Sequence, residues 1–182
     1  SSYNVAVGRD AGLSVTTGIQ NTIIGGLAGD ALTTGVHNTV LGYKALSTED
    51  TGHYSVAIGS GALEDQNYDG SAFNVAIGYE AGNSVTTGVH NTLIGSQAGD
   101  ALTTGQRSVA VGYLALSTET GSDRSVAIGA EALKNQNVGS SNAYNVAVGD
   151  SAGEEITSGQ YNTLVGGLAG DALTTGEKNV AI

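Results

Sequence analysis

The amino-acid sequence predicts an all-β fold, a parallel β-solenoid (β-roll) of about eleven coils of 17–20 residues each. A five-residue motif recurs eleven times along the 182 residues and closes on Gly in every copy except the last. The chain has 29 Gly but no Pro, Cys, Met or Trp, so large side chains for a thick globular core are scarce. These features are typical of a one-dimensional array in which each repeat contacts only its neighbours.

The motif reads Asn or Ser, Val or Thr, an apolar residue, an aliphatic residue and Gly, as in NVAVG from Asn4 and SVAIG from Ser55. Its closing Gly recurs every 17 residues in most coils and after 19 or 20 residues in two of them. A 17-residue unit is too short for a helix pair, and it lacks an apolar stripe of helical period. Alternating β-branched residues bounded by Asn and Gly indicate a strand followed by a turn. We therefore expect parallel coils stacked about 4.8 Å apart.

A longer repeat groups the coils in fours, because NTIIGGLAGDALTTG from Asn21 returns as NTLIGSQAGDALTTG from Asn91. The sequence thus divides into super-repeats at about 4–73 and 74–144 and a truncated one at 145–182, all within a single array over 1–182. The chain has no initiator Met and stops inside a motif at Ile182. We interpret it as a fragment of a longer fibre.

Charge and motif content disfavour several functional classes. The formal net charge is −11, whereas nucleic-acid binding requires clustered Lys or Arg. No apolar run approaches the roughly 20 residues that insert into a membrane. No P-loop, zinc-protease motif or nucleophile elbow is present. We expect no enzyme activity, no catalytic residues, no cofactor and no metal site.

Recurring polar residues are interpreted as structural. Asp30, Asp100 and Asp171 occupy one phase of the super-repeat, four layers or about 19 Å apart, which is too far for a catalytic carboxylate pair. We expect them to cap turns. The Asn or Ser that opens each motif is expected to form a hydrogen-bonded ladder or a turn cap.

The two faces of the motif strand are both apolar, which raises the question of what covers the outer one. The fourth position is aliphatic in all eleven motifs, so we place it inside the coil together with the second. The third position then points outward, and a continuous apolar stripe needs a partner chain. The predicted homotrimer interface consists of Ala6, Ile23, Val40, Ala57, Ala76, Leu93, Ala110, Ala127, Ala147, Leu164 and Ala181.

The large aliphatic residue that follows the recurring Ala occupies one of two alternative positions. Where Gly follows this Ala, a large aliphatic such as Leu32 comes three residues later. In the 17-residue coils where Leu follows it, as at Leu46 and Leu116, that later position holds Glu49 or Glu119. Each such coil thus supplies one large aliphatic from one of two places, as a packed layer requires.

The two long coils carry the candidate recognition loops, because insertions in solenoids map to loops on one face, often the binding face. A spacing or stiffening role is the alternative. The candidate residues are Asp65, Gln66, Asn67, Tyr68, Asp69, Asn135, Gln136 and Asn137.

The repeats resemble two families of fibrous proteins. SVAIG and NVAIG, followed by Ala-Leu or Ala-Gly, look like repeats in the head domains of trimeric autotransporter adhesins. NTVLGYKALSTEDTG from Asn38 and NTLIGSQAGDALTTG from Asn91 are similar to repeats of bacteriophage tail-fibre proteins. The resemblance implies a left-handed parallel β-roll, three chains around one axis, and an extracellular location on a virion tail fibre or a bacterial cell surface.

We interpret the chain as a structural repeat region of a trimeric attachment fibre, in first place a phage tail fibre that mediates host-surface attachment. The alternative is the head or stalk of a bacterial trimeric autotransporter adhesin. An ice-binding solenoid and a polysaccharide-cleaving spike are the remote alternatives. The expected partners are further copies of the chain and a host cell-surface glycan or protein, with neither nucleic acid nor membrane insertion.

Overall fold

The computed structural model describes residues 3–182, which form a parallel β-solenoid with one short strand per motif. Within this range eleven strands pair in sequence order into a single sheet, so that they delimit ten turns. This confirms the predicted all-β solenoid. The strands are β1 (Val5–Val7), β2 (Thr22–Ile24), β3 (Thr39–Leu41), β4 (Val56–Ile58), β5 (Val75–Ile77), β6 (Thr92–Ile94), β7 (Val109–Val111), β8 (Val126–Ile128), β9 (Val146–Val148), β10 (Thr163–Val165) and β11 (Val180–Ala181).

The pairing register places each motif residue beside its counterpart in the next coil, as Val56 beside Val75 and Ala57 beside Ala76. The Gly that closes each motif makes this stacking possible. Gly78 has a φ of 142°, and a Cβ built on it would lie 2.3 Å from the backbone oxygen of Gly95 in the next coil. Only Gly meets both constraints, because other residues strain at this φ and their Cβ would collide with the neighbouring layer.

The third motif position points into the coil, and the predicted orientation of the strand was therefore wrong. Positions one and three share the inner face because strand side chains alternate. The second and fourth positions face outward, where Val7 is 57% exposed and Leu41 is 45% exposed. The opening Asn donates its side-chain amide to a backbone carbonyl inside the coil, and this fixes the parity of the strand.

This orientation corrects the predicted interface residues, since a side chain buried by its own chain has no surface for a partner. Nine of them lie fully buried in the core: Ile23, Val40, Ala57, Ala76, Leu93, Ala110, Ala127, Ala147 and Leu164. Ala6 and Ala181 occupy the same strand position in the two end coils, where Ala6 is exposed and Ala181 is half-buried against the core.

The core is one continuous column in which neighbouring coils fill each other's gaps. Leu32 and Leu46 are both fully buried, so the aliphatic does enter the core from two alternative places. Beside Gly82, which has no side chain, leucines from the coils on either side occupy the space together with Val85 of the same coil. A Cβ on Gly82 would lie 2.6 Å from Cδ1 of Leu93 and 3.1 Å from Cδ2 of Leu63. Space that one coil leaves in the core is therefore filled by side chains of the adjacent coils.

Candidate functional site

The Asn and Ser side chains that open the motifs form a buried ladder along the solenoid. Asn38 donates its side-chain amide to the carbonyl of Gly52 at 2.8 Å, and its side-chain oxygen accepts the backbone N–H of Ser55 at 2.9 Å. The same pair of bonds recurs at Asn91 with Gly105 and Ser108. The asparagines of the ladder satisfy backbone groups of their own coil and of the next, which confirms a structural role.

A second buried polar network lies in the third and fourth coils, at the place where other coils hold an aliphatic residue. The side-chain amide of Gln66 donates to Oε2 of Glu49 at 3.0 Å and to Oγ of Ser55 at 2.9 Å. The carboxylate also accepts the backbone N–H of Gly52 at 2.7 Å and that of Tyr68 at 3.1 Å. Burial raises the pKa of Glu49, and the hydrogen bonds from Gln66 and the backbone offset part of this effect.

The network is repeated in the seventh and eighth coils. Gln136 donates to Oε2 of Glu119 at 3.0 Å and to Oγ of Ser125 at 2.9 Å, and Asn145 donates to Oε1 of Gln136 at 2.7 Å. The backbone N–H of Val138 donates to Glu119 at 3.1 Å. In both copies the carboxylate of one coil therefore holds the base of the long loop in the next.

Gln66 and Gln136 were predicted to lie in recognition loops, and the structure corrects this because both are fully buried. Each stands three residues after a core leucine, Leu63 or Leu133, at the same place in the coil as Glu49. That spacing is the signal that could have identified the network from the sequence. The extra residues of each long coil therefore follow the glutamine.

The remaining candidate loop residues lie at or near the surface. Asp65, Asn67, Tyr68 and Asp69 are exposed. Asn137 is exposed as well, and Asn135 is half-buried. The loops are nevertheless anchored to their neighbours, because Thr51 donates to Oδ1 of Asp69 at 2.7 Å and His53 forms a parallel bridge with Ser71.

The outer strand face consists of the second and fourth motif positions, and it runs along all eleven layers. It carries no charged residue, although 13% of the chain is charged. Its members are exposed or half-buried in the single chain: Val5, Val7, Thr22, Ile24, Thr39, Leu41, Val56, Ile58, Val75, Ile77, Thr92, Ile94, Val109, Val111, Val126, Ile128, Val146, Val148, Thr163, Val165, Val180 and Ile182. An uncharged, mostly apolar face of this length is a candidate interaction surface.

Several of the residues that directly precede the motif Asn or Ser stack on one another and form a stacked column. The rings of His37 and Tyr54 lie 5.0 Å apart, those of Tyr54 and Phe73 5.2 Å, and those of Phe73 and His90 5.3 Å. Further along, the guanidinium of Arg124 lies 5.6 Å from the ring of Tyr144, and the rings of Tyr144 and Tyr161 lie 5.3 Å apart. Stacking uses the ring faces, so this column presents mainly ring edges to solvent.

The recurrent aspartates lie in turns, where Asp171 is exposed and Asp30 and Asp100 are half-buried. Asp171 accepts the backbone N–H of Ala172 at 2.9 Å, as a turn cap does. Burial raises the pKa of Asp100, and one carboxylate oxygen each of Asp30 and Asp100 has no hydrogen-bond partner. Across residues 3–182 there is no group of three His, Asp or Glu side chains suited to hold a metal ion, and no ligand-sized pocket. No helix in this range is long and apolar enough to cross a bilayer.

Comparison with known proteins finds one family model, the YadA head domain repeat, in two copies at residues 34–62 and 104–132. Both copies occupy the same part of successive super-repeats, 70 residues apart, and together they cover under a third of the chain. No curated protein and no solved structure matches the chain. The match supports the resemblance to head domains of trimeric autotransporter adhesins and favours the adhesin alternative over the tail-fibre reading.

Proposed function

We propose that this chain is the repeat region of an adhesin-like fibre, displayed outside the cell, in which three copies pack their outer strand faces around a common axis. The uncharged outer strand face carries this proposal. A solvent-exposed face in a chain of net charge −11 would be expected to collect charged residues, yet none occurs there. The matches to the YadA head domain repeat support the same reading.

The side chains of this face are suited to close packing between chains. Val, Ile and Thr dominate it, and their branched side chains have few rotamers to lose when they are buried. At about 4.8 Å per layer the face is roughly 50 Å long, so contact along its length buries a substantial apolar area. Three-fold association follows from the adhesin resemblance, and a role in attachment to a surface glycan or protein follows with it.

The tail-fibre interpretation uses the same solenoid and remains a prediction. The ice-binding alternative is less compatible with the threonine pairs. Thr33 donates its hydroxyl to the carbonyl of Asp50 at 3.0 Å, and Thr103 donates to that of Thr120 at 2.8 Å. One member of each pair is thus engaged with the next coil, and the third and fourth coils lack the pair, so the free hydroxyls form no continuous array along the solenoid. We propose attachment and spacing as the role of the chain rather than catalysis.

Sedimentation equilibrium of the chain tests the assembly. We expect three chains per particle for the unmodified protein. The double variant Ile77→Asp with Val148→Asp changes two residues of the outer strand face. It should yield monomers, because an unpaired buried charge costs several kcal/mol. The matched control places the same two charges at Thr87 and Thr104, which are exposed in turns, and should remain a trimer. A stable monomer of the unmodified chain, or a trimer that tolerates both face substitutions, would contradict the proposal.

A further inference from the structure

A second set of aromatic residues stands apart from the stacked column. Tyr43, Tyr79 and Tyr113 each follow the closing Gly of a motif, in the third, fifth and seventh coils. Their exposed fractions are 54%, 54% and 51%, and none of them stacks on another aromatic ring of the described residues. The coils between them carry Ser60 and Ser96 at the same place. Between the third and seventh layers, alternate layers therefore present a tyrosine and a serine.

The ring of Tyr43 leans over the preceding coil. A Cβ built on Gly26, its counterpart in that coil, would lie 3.7 Å from Cδ2 of Tyr43. Tyr79 and Tyr113 follow Ser60 and Ser96 in the same way, so small residues leave room for each ring along the axis. No other ring stacks on these tyrosines among the described residues, and about half of each side chain is open to solvent, whereas the rings of His37, Tyr54, Phe73 and His90 stack on one another.

The spacing of the rings suits an extended polymer that lies along the solenoid. Two layers correspond to about 9.6 Å between successive tyrosines. In an extended β-linked polysaccharide the same sugar face recurs once per disaccharide, at a closely similar interval. The C–H groups of a sugar ring pack on the face of a tyrosine, and the sugar hydroxyls meet polar side chains between the rings. Ser60 and Ser96 supply hydroxyl groups at the intermediate layers.

We propose that Tyr43, Tyr79 and Tyr113 form a platform that binds an uncharged, extended β-linked polysaccharide parallel to the solenoid axis. This deepens the proposed attachment function and rests on it. The platform spans four layers, about 19 Å, so an oligosaccharide of about six sugars covers all three rings.

The charges around the platform select against acidic polysaccharides. Lys44, next to Tyr43, is engaged with Glu64 at 3.0 Å and is not free to pair with a ligand carboxylate or sulfate. Glu80 follows Tyr79, and its carboxylate, as a hydrogen-bond acceptor and a negative charge beside the phenol, raises the pKa of Tyr79. With the net charge of −11 added, an anionic chain meets repulsion over the whole surface, while an uncharged one does not.

Calorimetric titration of the full chain with cellohexaose and with chitohexaose tests the platform. We expect at least one hexasaccharide to bind, more tightly than its disaccharide. The triple variant Tyr43→Ala, Tyr79→Ala and Tyr113→Ala should lose affinity by about tenfold or more. Phe at the same three positions keeps the ring faces and should retain binding within about threefold.

The matched control removes three tyrosines of comparable exposure from the stacked column, as Tyr54→Ala, Tyr144→Ala and Tyr161→Ala. It should bind the hexasaccharide as the unmodified chain does. Absence of binding to both hexasaccharides, or equal losses in the two triple variants, would overturn the platform. So would dissociation of the platform variant into monomers, since the tyrosines would then belong to the assembly. Sedimentation of each variant shows whether a loss of sugar binding comes from removal of the rings or from dissociation of the trimer.

Discussion

The side chain of Gln66 donates a hydrogen bond of 3.0 Å to Oε2 of Glu49 in the preceding coil, and both residues are fully buried. The acceptor is a carboxylate that has no cationic partner among the described residues and is surrounded by N–H donors instead. Because Tyr68 at the base of the long loop is one of these donors, the pair links the core to the loop.

Removing the carboxylate alone should destabilise the solenoid. In Glu49→Leu the core gains the aliphatic found at Leu32, but Gln66, Gly52 and Tyr68 lose their acceptor. We expect a loss of about 1–3 kcal/mol in the free energy of unfolding, since buried donors are left unpaired. Urea unfolding followed by circular dichroism measures it.

The double variant Glu49→Leu with Gln66→Leu is the control for this prediction. It removes a donor together with the acceptor, so it should cost less than the sum of the two single variants. Strictly additive costs would show that Glu49 and Gln66 do not act as a pair.

The raised pKa of Glu49 predicts how stability depends on pH. Its ordinary value is 4.5, and in the folded chain the group keeps its proton to higher pH. At pH values above 4.5 the native state thus binds more protons than the unfolded state. The contribution of Glu49 to the free energy of unfolding therefore falls as pH rises through the folded pKa. We expect Glu49→Gln to become relatively more stable, compared with the unmodified chain, as pH rises from about 4 to 7. Parallel pH profiles of the unfolding free energy in the two proteins would contradict this.

The fold could be predicted from the sequence because the motif period and the Gly column leave few alternatives. The direction of the strand could not be read from side-chain size, since Val7 and Ile23 are both apolar and both faces of the strand therefore suit a core. The deciding feature is Asn21 at the start of the motif. Its amide donates to the carbonyl of Gly35 inside the coil, and alternation then carries Ile23 inward with it.

The buried network was missed for a different reason. An insertion was expected to begin after Leu63, so Gln66 was assigned to an exposed loop with Asp65 and Asn67. The regular pattern of inward-facing positions continues through Gln66. The residue three places after the leucine that follows the recurring Ala, as at Leu46 and Leu63, points inward. A polar side chain at that phase is compatible with the core only because Glu49 and Ser55 complete its hydrogen bonds.

The closing Gly of an inner motif should tolerate no side chain. Gly78→Ala would place a Cβ 2.3 Å from the backbone oxygen of Gly95, and neither backbone can move without breaking the layer pairing. We expect a loss of more than about 4 kcal/mol or failure to fold. The control is Gly139→Ala, which also has a positive φ of 73° but no atom within 4 Å of the added Cβ. Its cost should stay near 1 kcal/mol in thermal unfolding, and equal costs at both sites would assign the effect to φ rather than to the close approach.

The stacked column should contribute to stability through ring contacts between layers. Phe73 lies between the rings of Tyr54 and His90, at 5.2 and 5.3 Å, so Phe73→Ala removes two stacked pairs. At about 0.5–1.5 kcal/mol for each pair, we expect a loss of about 1–3 kcal/mol in the free energy of unfolding. Tyr79→Ala removes a ring of similar exposure that stacks on no other, so it should cost clearly less. Denaturant unfolding of both variants decides the point, because equal costs would mean that stacking between coils adds nothing to the burial of each ring on its own coil.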